Sequence, residues 1–307
     1  MDLNENADLD TSQVEDVRGG GGGGGGGFNL PIGGRGLAGT LVGLIVVVLL
    51  GVLGVNQFTG DSSGGGGGTA DNSDLNAKCA KSNPNRFNET DCVNLLYVNS
   101  IQDHWRRTLP ATFGVQYQLA TTRYFSGAVS TACGDADSGV GPFYCPADHH
   151  VYIDLTFYDE LARRFGAPGR FAQAYVLAHE YGHHVQSLLG TEAQMRRAQQ
   201  RDPGNANRYS IALELQADCY AGVWAKSATQ TTDANGNALF KSVTDQDIAQ
   251  ALQAAAAVGD DAIQKKSTGR VNQDTWTHGS SEDRQRWFSQ GNTTGDPKRC
   301  DTFGGSL

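Results

Sequence analysis

Positive charge is in short supply in this chain. Its 24 Lys and Arg face 33 Asp and Glu, a formal net charge of −9, and no basic patch is left to follow a phosphate backbone. Nucleic acid is therefore not an expected partner. There is no Cys-x2-Cys pair, so the six cysteines do not read as a cysteine-built zinc site. No segment repeats with a solenoid period, which removes that architecture. Glycine is plentiful at 41 residues, but runs at 19–27 and 64–68 inflate it, and composition says little about the fold.

What the chain does have is His179-Glu180-Tyr181-Gly182-His183. On a helix, positions i and i+4 share a face, so both histidines can hold one metal ion. Glu180 sits one step round, near enough to reach a water in the site without being a ligand. Two neutral imidazoles, an open position and a carboxylate base are the parts that zinc-assisted peptide hydrolysis requires. Residues 171–178 leading in, and Val185, Leu188 and Leu189 leading out, are apolar enough to bury this helix. Once buried, two histidines and a glutamate need partners, and a metal satisfies all three. The plain alternative is a pair of helix histidines that happen to flank a glutamate.

The third ligand has to come from elsewhere. A metzincin would carry glycine at position 186 and histidine at 189; this chain has Gln186 and Leu189, which excludes that class. Residues 211–224 read as a second, largely apolar helix with Glu214 and Asp218 again at i and i+4. Two carboxylates on one buried face are costly unless paired or metal-bound. Glu214 is the expected third ligand, giving a His2Glu site for one Zn2+ per chain. Asp218 is expected to accept a hydrogen bond from the non-ligating nitrogen of one histidine. Otherwise both acids pair with arginines such as Arg208.

His-Glu-Tyr-Gly-His-His (179–184), Glu-Leu-Gln-Ala-Asp-Cys-Tyr-Ala-Gly-Val-Trp (214–224) and Thr277-His-Gly-Ser-Ser281 with Arg284 and Arg286-Trp-Phe288 resemble the bacterial neutral zinc metallopeptidase family. So do Gly141-Pro-Phe-Tyr-Cys-Pro146, Val151-Tyr-Ile-Asp154, and Val14-Glu-Asp16 followed by Arg18. The likeness runs from about residue 75 onward. It implies a membrane-anchored metallopeptidase with a gluzincin-like site, in which a sheet edge beside the metal helix binds substrate backbone as an added strand. Residues 143–145 or 151–153 are the candidates for that edge. By the same analogy His278, in a loop just before a helix start, is a candidate donor to the oxyanion of the tetrahedral intermediate. His104, His149, His150 and His184 are given no role; His184 points about 100° away from its ligand neighbour on the helix.

Residues 37–55 are apolar or small and carry no charge, long enough for one transmembrane helix. Arg18 and Arg35 precede the run and the next basic residue is Lys78, so the positive-inside rule puts the N-terminus in the cytoplasm. The expected layout is a disordered, acidic and glycine-rich cytoplasmic tail (1–36), a transmembrane helix (37–57), a Gly/Ser-rich linker (58–77) and a zinc metallopeptidase domain (78–307). That places the protein in the bacterial cytoplasmic membrane as a single-pass protein with its catalytic domain extracytoplasmic. The expected fold class is α+β: this transmembrane helix, then a zincin-like ectodomain with a small sheet beside the metal helix and a mostly helical C-terminal half.

Helices are expected at 91–107 (amphipathic), from the metal motif to Gly190, at 211–224, at 245–258 capped by Thr244 and Asp247, and at 281–290, ending before Gly291. Strands are expected within 115–125 and 151–157, and 191–207 reads as a polar stretch. Six cysteines suit an oxidising compartment and allow fifteen connectivities. The preferred set is Cys79–Cys92, Cys133–Cys145 and Cys219–Cys300. The expected activity is hydrolysis of a peptide or protein substrate by a zinc-activated water with Glu180 as general base. A non-catalytic zinc-stabilised envelope scaffold and a zinc amidase acting on cell-wall peptides are the rival readings.

Overall fold

Helices carry the metal motif and a short sheet lines it. The computed structural model describes residues 1–18 and 70–304. In chain order come strands β1 (Asp2–Leu3) and β2 (Val14–Asp16), helices α1 (Ser73–Cys79) and α2 (Thr90–Phe113), and strands β3 (Thr121–Tyr124), β4 (Ala128–Thr131), β5 (Gly134–Asp137), β6 (Phe143–Cys145) and β7 (His150–Ile153). Helices α3 (Phe157–Arg163), α4 (Arg170–Leu189), α5 (Thr191–Arg201) and α6 (Ala206–Ser227) follow. Strand β8 (Phe240–Ser242) then leads to α7 (Asp245–Ala257), α8 (Asp260–Thr268) and α9 (Ser281–Thr294).

The main sheet has the order β2-β3-β7-β6, parallel across its first three strands and antiparallel at β6. Strand β7 is therefore interior and β6 is the edge, which decides between the two candidate edges in favour of Phe143–Cys145. The β4–β5 hairpin, unmarked by any hydrophobic alternation in Ala-Val-Ser-Thr and Gly-Asp-Ala-Asp, is tied to that edge by Cys133–Cys145. Cys79–Cys92 and Cys219–Cys300 complete the disulfides, the pairing preferred from sequence.

The N-terminal tail is the main correction. Residues 1–18 were expected to be disordered, but β1 pairs with β8 and β2 adds to the main sheet. Asp10 and Asn99 exchange two hydrogen bonds, Gln102 donates to Gln13, and Arg18 bridges Asp16 and Asp91. Helix α2 is consequently buried on all sides from Asp91 to Trp105 rather than amphipathic. Its polar face is satisfied partly by this N-terminal strap and partly by Tyr158, Thr231 and Thr232, partners that are invisible to a periodicity argument.

The membrane topology fails with it. Residues 1–18 and the domain from residue 70 form one hydrogen-bonded body, so a single crossing between them cannot set them on opposite sides of a bilayer. Among the described residues no helix is long and apolar enough to cross a membrane. The span expected at 37–57 lies outside the described residues.

Two smaller differences have local causes. Residues 191–201 form an amphipathic helix, α5, burying Met195, Ala198 and Gln199, where a polar stretch was expected. Helix α9 runs through Gly291 instead of stopping there: a Cβ at that position would lie 1.9 Å from the Cys219 carbonyl oxygen, so the glycine serves close packing of α9 on α6. The capping box of Thr244 and Asp247 forms as expected.

His104 on α2 supplies a pH test. Its ring is buried, with Nδ1 2.7 Å from Ser227 Oγ and Nε2 without a partner. Burial, helped by Arg107, pushes it down to about 3. The unfolded chain takes up this proton near pH 6.5 and the folded one refuses it until about 3, so stability is full above ~6.5 and falls as pH drops through that window. The urea midpoint of His104→Asn should therefore fall less from pH 7 to 4.5, by roughly 2–3 kcal/mol of stability. Coincident pH curves would refute a neutral buried imidazole.

Candidate metal centre

Helices α4 and α6 each present a one-turn pair: His179 and His183 from one, Glu214 and Asp218 from the other, all buried. Gly182, between the histidines, allows the two helices to meet. A Cβ there would lie 3.0 Å from Ala217 Cα, tighter than most Cβ contacts.

Hydrogen bonds behind the imidazoles fix their protons. His179 Nδ1 lies 2.8 Å from Asp218 Oδ1, an acceptor only, and so carries its hydrogen. His183 Nδ1 lies 2.9 Å from Gln186 Oε1 and does the same. With both rings neutral, the form that binds a metal, the two Nε2 lone pairs face one another at 3.2 Å. Glu214 closes the group, with Oε2 3.1 Å from His179 Nε2 and Oε1 3.5 Å from His183 Nε2. Ligand atoms of all three residues lie within 4.8 Å of one another. Electron pairs converging on one buried point repel unless a cation sits among them, and two imidazoles with one carboxylate make a donor set that suits zinc.

The local potential agrees. Burial pulls His179 down, but Asp218 and Glu214 outweigh it and bring it up to about 10. A field that binds a proton so firmly also attracts a divalent cation competing for the same lone pair. Glu214 is pushed up by burial, yet His183 and His179 hold it well below the usual carboxylate range, with His278 adding to the effect. Glu180 behaves oppositely: burial, reinforced by Glu214 and opposed by His179, pushes it up to about 8. Its Oε2 is buried with no hydrogen-bond partner among the described residues.

Asp218 is anchored from the other side as well. Arg284 of α9 donates to it through Nε at 2.7 Å and Nη2 at 3.0 Å, and the Tyr175 hydroxyl donates at 2.5 Å. The arginine on this acid is thus Arg284 and not Arg208, while the ion-pair partners of Glu214 are the two histidines.

His278 is buried in a loop clamped by Asp260. One carboxylate oxygen accepts the amides of Thr277, His278 and Gly279 at 2.7–3.0 Å, and the other lies 3.2 Å from His278 Nδ1. Gly279 rests against Ile211 and Leu215, which puts the loop beside Glu214 on α6. Cavities open on either side of the donor set. One, of about 460 Å³, is lined by His183, Tyr144, Glu192 and Arg196. The other is small and mainly apolar, lined by Val176, Phe165 and Ile263 together with His179, Glu180 and Glu214.

A family model described as "putative neutral zinc metallopeptidase" matches residues 4–303. The chain belongs to this family. A relative from Mycobacterium tuberculosis is 50% identical over 221 residues, covering 71% of this chain and 72% of its own. The YpfJ protein of Escherichia coli K12 is 41% identical over 302 residues, covering 97% and 98%. Both are named as uncharacterized proteins, so they support the family and not an activity. No solved structure matches the chain significantly.

The family motifs and the geometry meet at the expected residues: the structure brings His179, Glu180, His183, Glu214 and Asp218 together and sets His278 beside them. Sequence reasoning missed four others. Tyr175 and Arg284 hold Asp218, Asp260 holds His278, and Gln186 holds His183. Arg284 stood inside a family motif without a role, and Gln186 served only to exclude the metzincins. His184 has no link to the donor set; Nε2 meets the Gln118 carbonyl at 2.7 Å and Nδ1 the Tyr144 hydroxyl at 3.0 Å.

Proposed function

We propose that this protein is a zinc-dependent metallopeptidase, with His179, His183 and Glu214 as the ligands of one zinc ion. The observation that supports it best is the convergence of two imidazole nitrogens and a carboxylate, with a buried carboxylate oxygen of Glu180 alongside that has no partner among the described residues. Zinc bound there would act as a Lewis acid, polarising a peptide carbonyl and lowering the pKa of water towards ~7. Glu180 takes the proton of the attacking water and passes it to the departing amine. Burial raises its affinity for protons, which favours taking the proton up, and the same carboxyl can then give it away. Asp218, with its charge balanced by Arg284, keeps the His179 proton on Nδ1.

His278 is the proposed oxyanion donor. Asp260 occupies its Nδ1 side, leaving Nε2 to act. An extended peptide would align antiparallel on the outer edge of β6 and place its side chains in the two cavities. The rival scaffold and amidase readings have no feature here that favours them.

The test is cleavage of a peptide library by zinc-loaded protein. Turnover should vanish on chelation and return with zinc, and His278→Phe should lower kcat by roughly 10²–10³-fold with zinc retained. Background turnover by the zinc-loaded parent on every peptide would end the peptidase reading.

A further inference from the structure

The proton on His183 is placed by residues that lie well behind the donor atoms. The Cys300 backbone carbonyl can only accept, and Gln216 Nε2 donates to it at 3.0 Å. Gln216 must therefore turn its oxygen the other way, where it accepts from Gln186 Nε2 at 3.0 Å. Gln186 Nε2 also donates to the Leu213 carbonyl at 2.7 Å, which leaves Gln186 Oε1 facing His183 Nδ1 at 2.9 Å. An oxygen in that position demands an N–H from the imidazole. The neutral ring then has a bare Nε2 aimed at the donor group.

Neither amide can flip at low cost, because each is locked to a backbone carbonyl whose polarity is irreversible. Gln186 is fully buried and Gln216 nearly so, which keeps water from substituting for the missing bonds. The start of the chain is fixed too: the Cys219–Cys300 disulfide ties the carbonyl to α6 three residues beyond Gln216, and Thr302 Oγ1 donates to the Ala212 carbonyl on the same helix.

We propose that this relay, from the Cys300 carbonyl through Gln216 and Gln186 to His183, holds His183 in its metal-binding tautomer. Gln186 and Gln216 are then positioning residues for the zinc site proposed above, on which the inference rests. Freed from the relay, a neutral imidazole populates both tautomers, and the one protonated on Nε2 has no lone pair for a metal. The C-terminal segment thereby presets a ligand on α4 without approaching the metal.

The experiment measures zinc dissociation constants by competition with a chelating indicator, on the full chain, together with the imidazole ¹⁵N shifts of His183 in metal-free protein. Gln186→Leu should weaken zinc binding about 10–100-fold and turn the His183 signals into those of a tautomer mixture. Gln216→Leu, which touches no ligand and keeps the side-chain volume, should weaken zinc about 3–10-fold, since only the Leu213 carbonyl still holds Gln186. Near-ultraviolet circular dichroism checks that both variants keep the native packing. If Gln186→Leu binds zinc within twofold of the parent with unchanged shifts, Gln186 does not position the ligand. If Gln216→Leu matches the parent in both readouts, the relay beyond Gln186 is overturned. Neither readout uses a substrate, so a parent that binds zinc yet cleaves no peptide counts against the peptidase alone; a parent that binds no zinc overturns both.

Discussion

Glu180→Gln should lower kcat by roughly 10²–10⁴-fold, the range a lost general base spans, and leave zinc content and folding as they were. The substitution is isosteric, and Glu180 is neither one of the three converging donors nor tied into the network behind them. Burial already disfavours its charged form, so a neutral amide relieves the fold of a cost. Only proton transfer is removed. The check is single-turnover cleavage of the preferred library peptide, with zinc measured in the same sample. A variant that keeps a tenth or more of parental kcat would remove Glu180 from the reaction, and one that loses zinc would make it part of the metal site instead.

The second large effect is on stability. Arg284→Met should cost about 3–5 kcal/mol, the penalty of leaving a buried charge without its partner. Arg284 and Asp218 are both excluded from solvent and joined by two hydrogen bonds. Truncating the arginine leaves the Asp218 carboxylate with only the Tyr175 hydroxyl and the His179 N–H. Neither donor replaces the two-pronged grip of a guanidinium. The same change removes a tie from α9 to the end of α7, since Arg284 also donates to the Val258 carbonyl at 3.3 Å. Urea titration of the metal-free protein measures this, and Asp218→Asn combined with Arg284→Met should recover a substantial part of the loss. A single-variant effect below about 1 kcal/mol would show that the pair is solvated in solution.

The metal motif was legible because its spacing is local. His179 and His183, or Glu214 and Asp218, must share a helical face wherever α4 and α6 lie, so one turn of arithmetic names them. The capping box at Thr244 and the left-handed glycine cap at Gly190 were readable for the same reason. The strap was not. Residues 1–18 carry no periodic apolar pattern, and what holds them is pairing across long chain separations: Asp10 with Asn99, β1 with β8, Arg18 with Asp91. A polar segment whose backbone is satisfied by distant partners looks disordered when read alone. The membrane orientation rested separately on Arg18, Arg35 and Lys78, and it fails because Arg18 is paired with Asp91 in the domain.

The sequence by itself determined the chemistry on offer: two imidazoles and a carboxylate between them on one helix, two carboxylates on another, and six cysteines able to pair. Tertiary structure decided how those groups are charged and aimed. Arg284 reaches Asp218 from 66 residues away and Gln216 reaches the Cys300 carbonyl from 84. Such partners set protonation, tautomer and orientation because the interior offers no water to take their place. Proximity in the folded chain, and not spacing along it, therefore made one cluster of converging donors out of a five-residue motif and a distant helix.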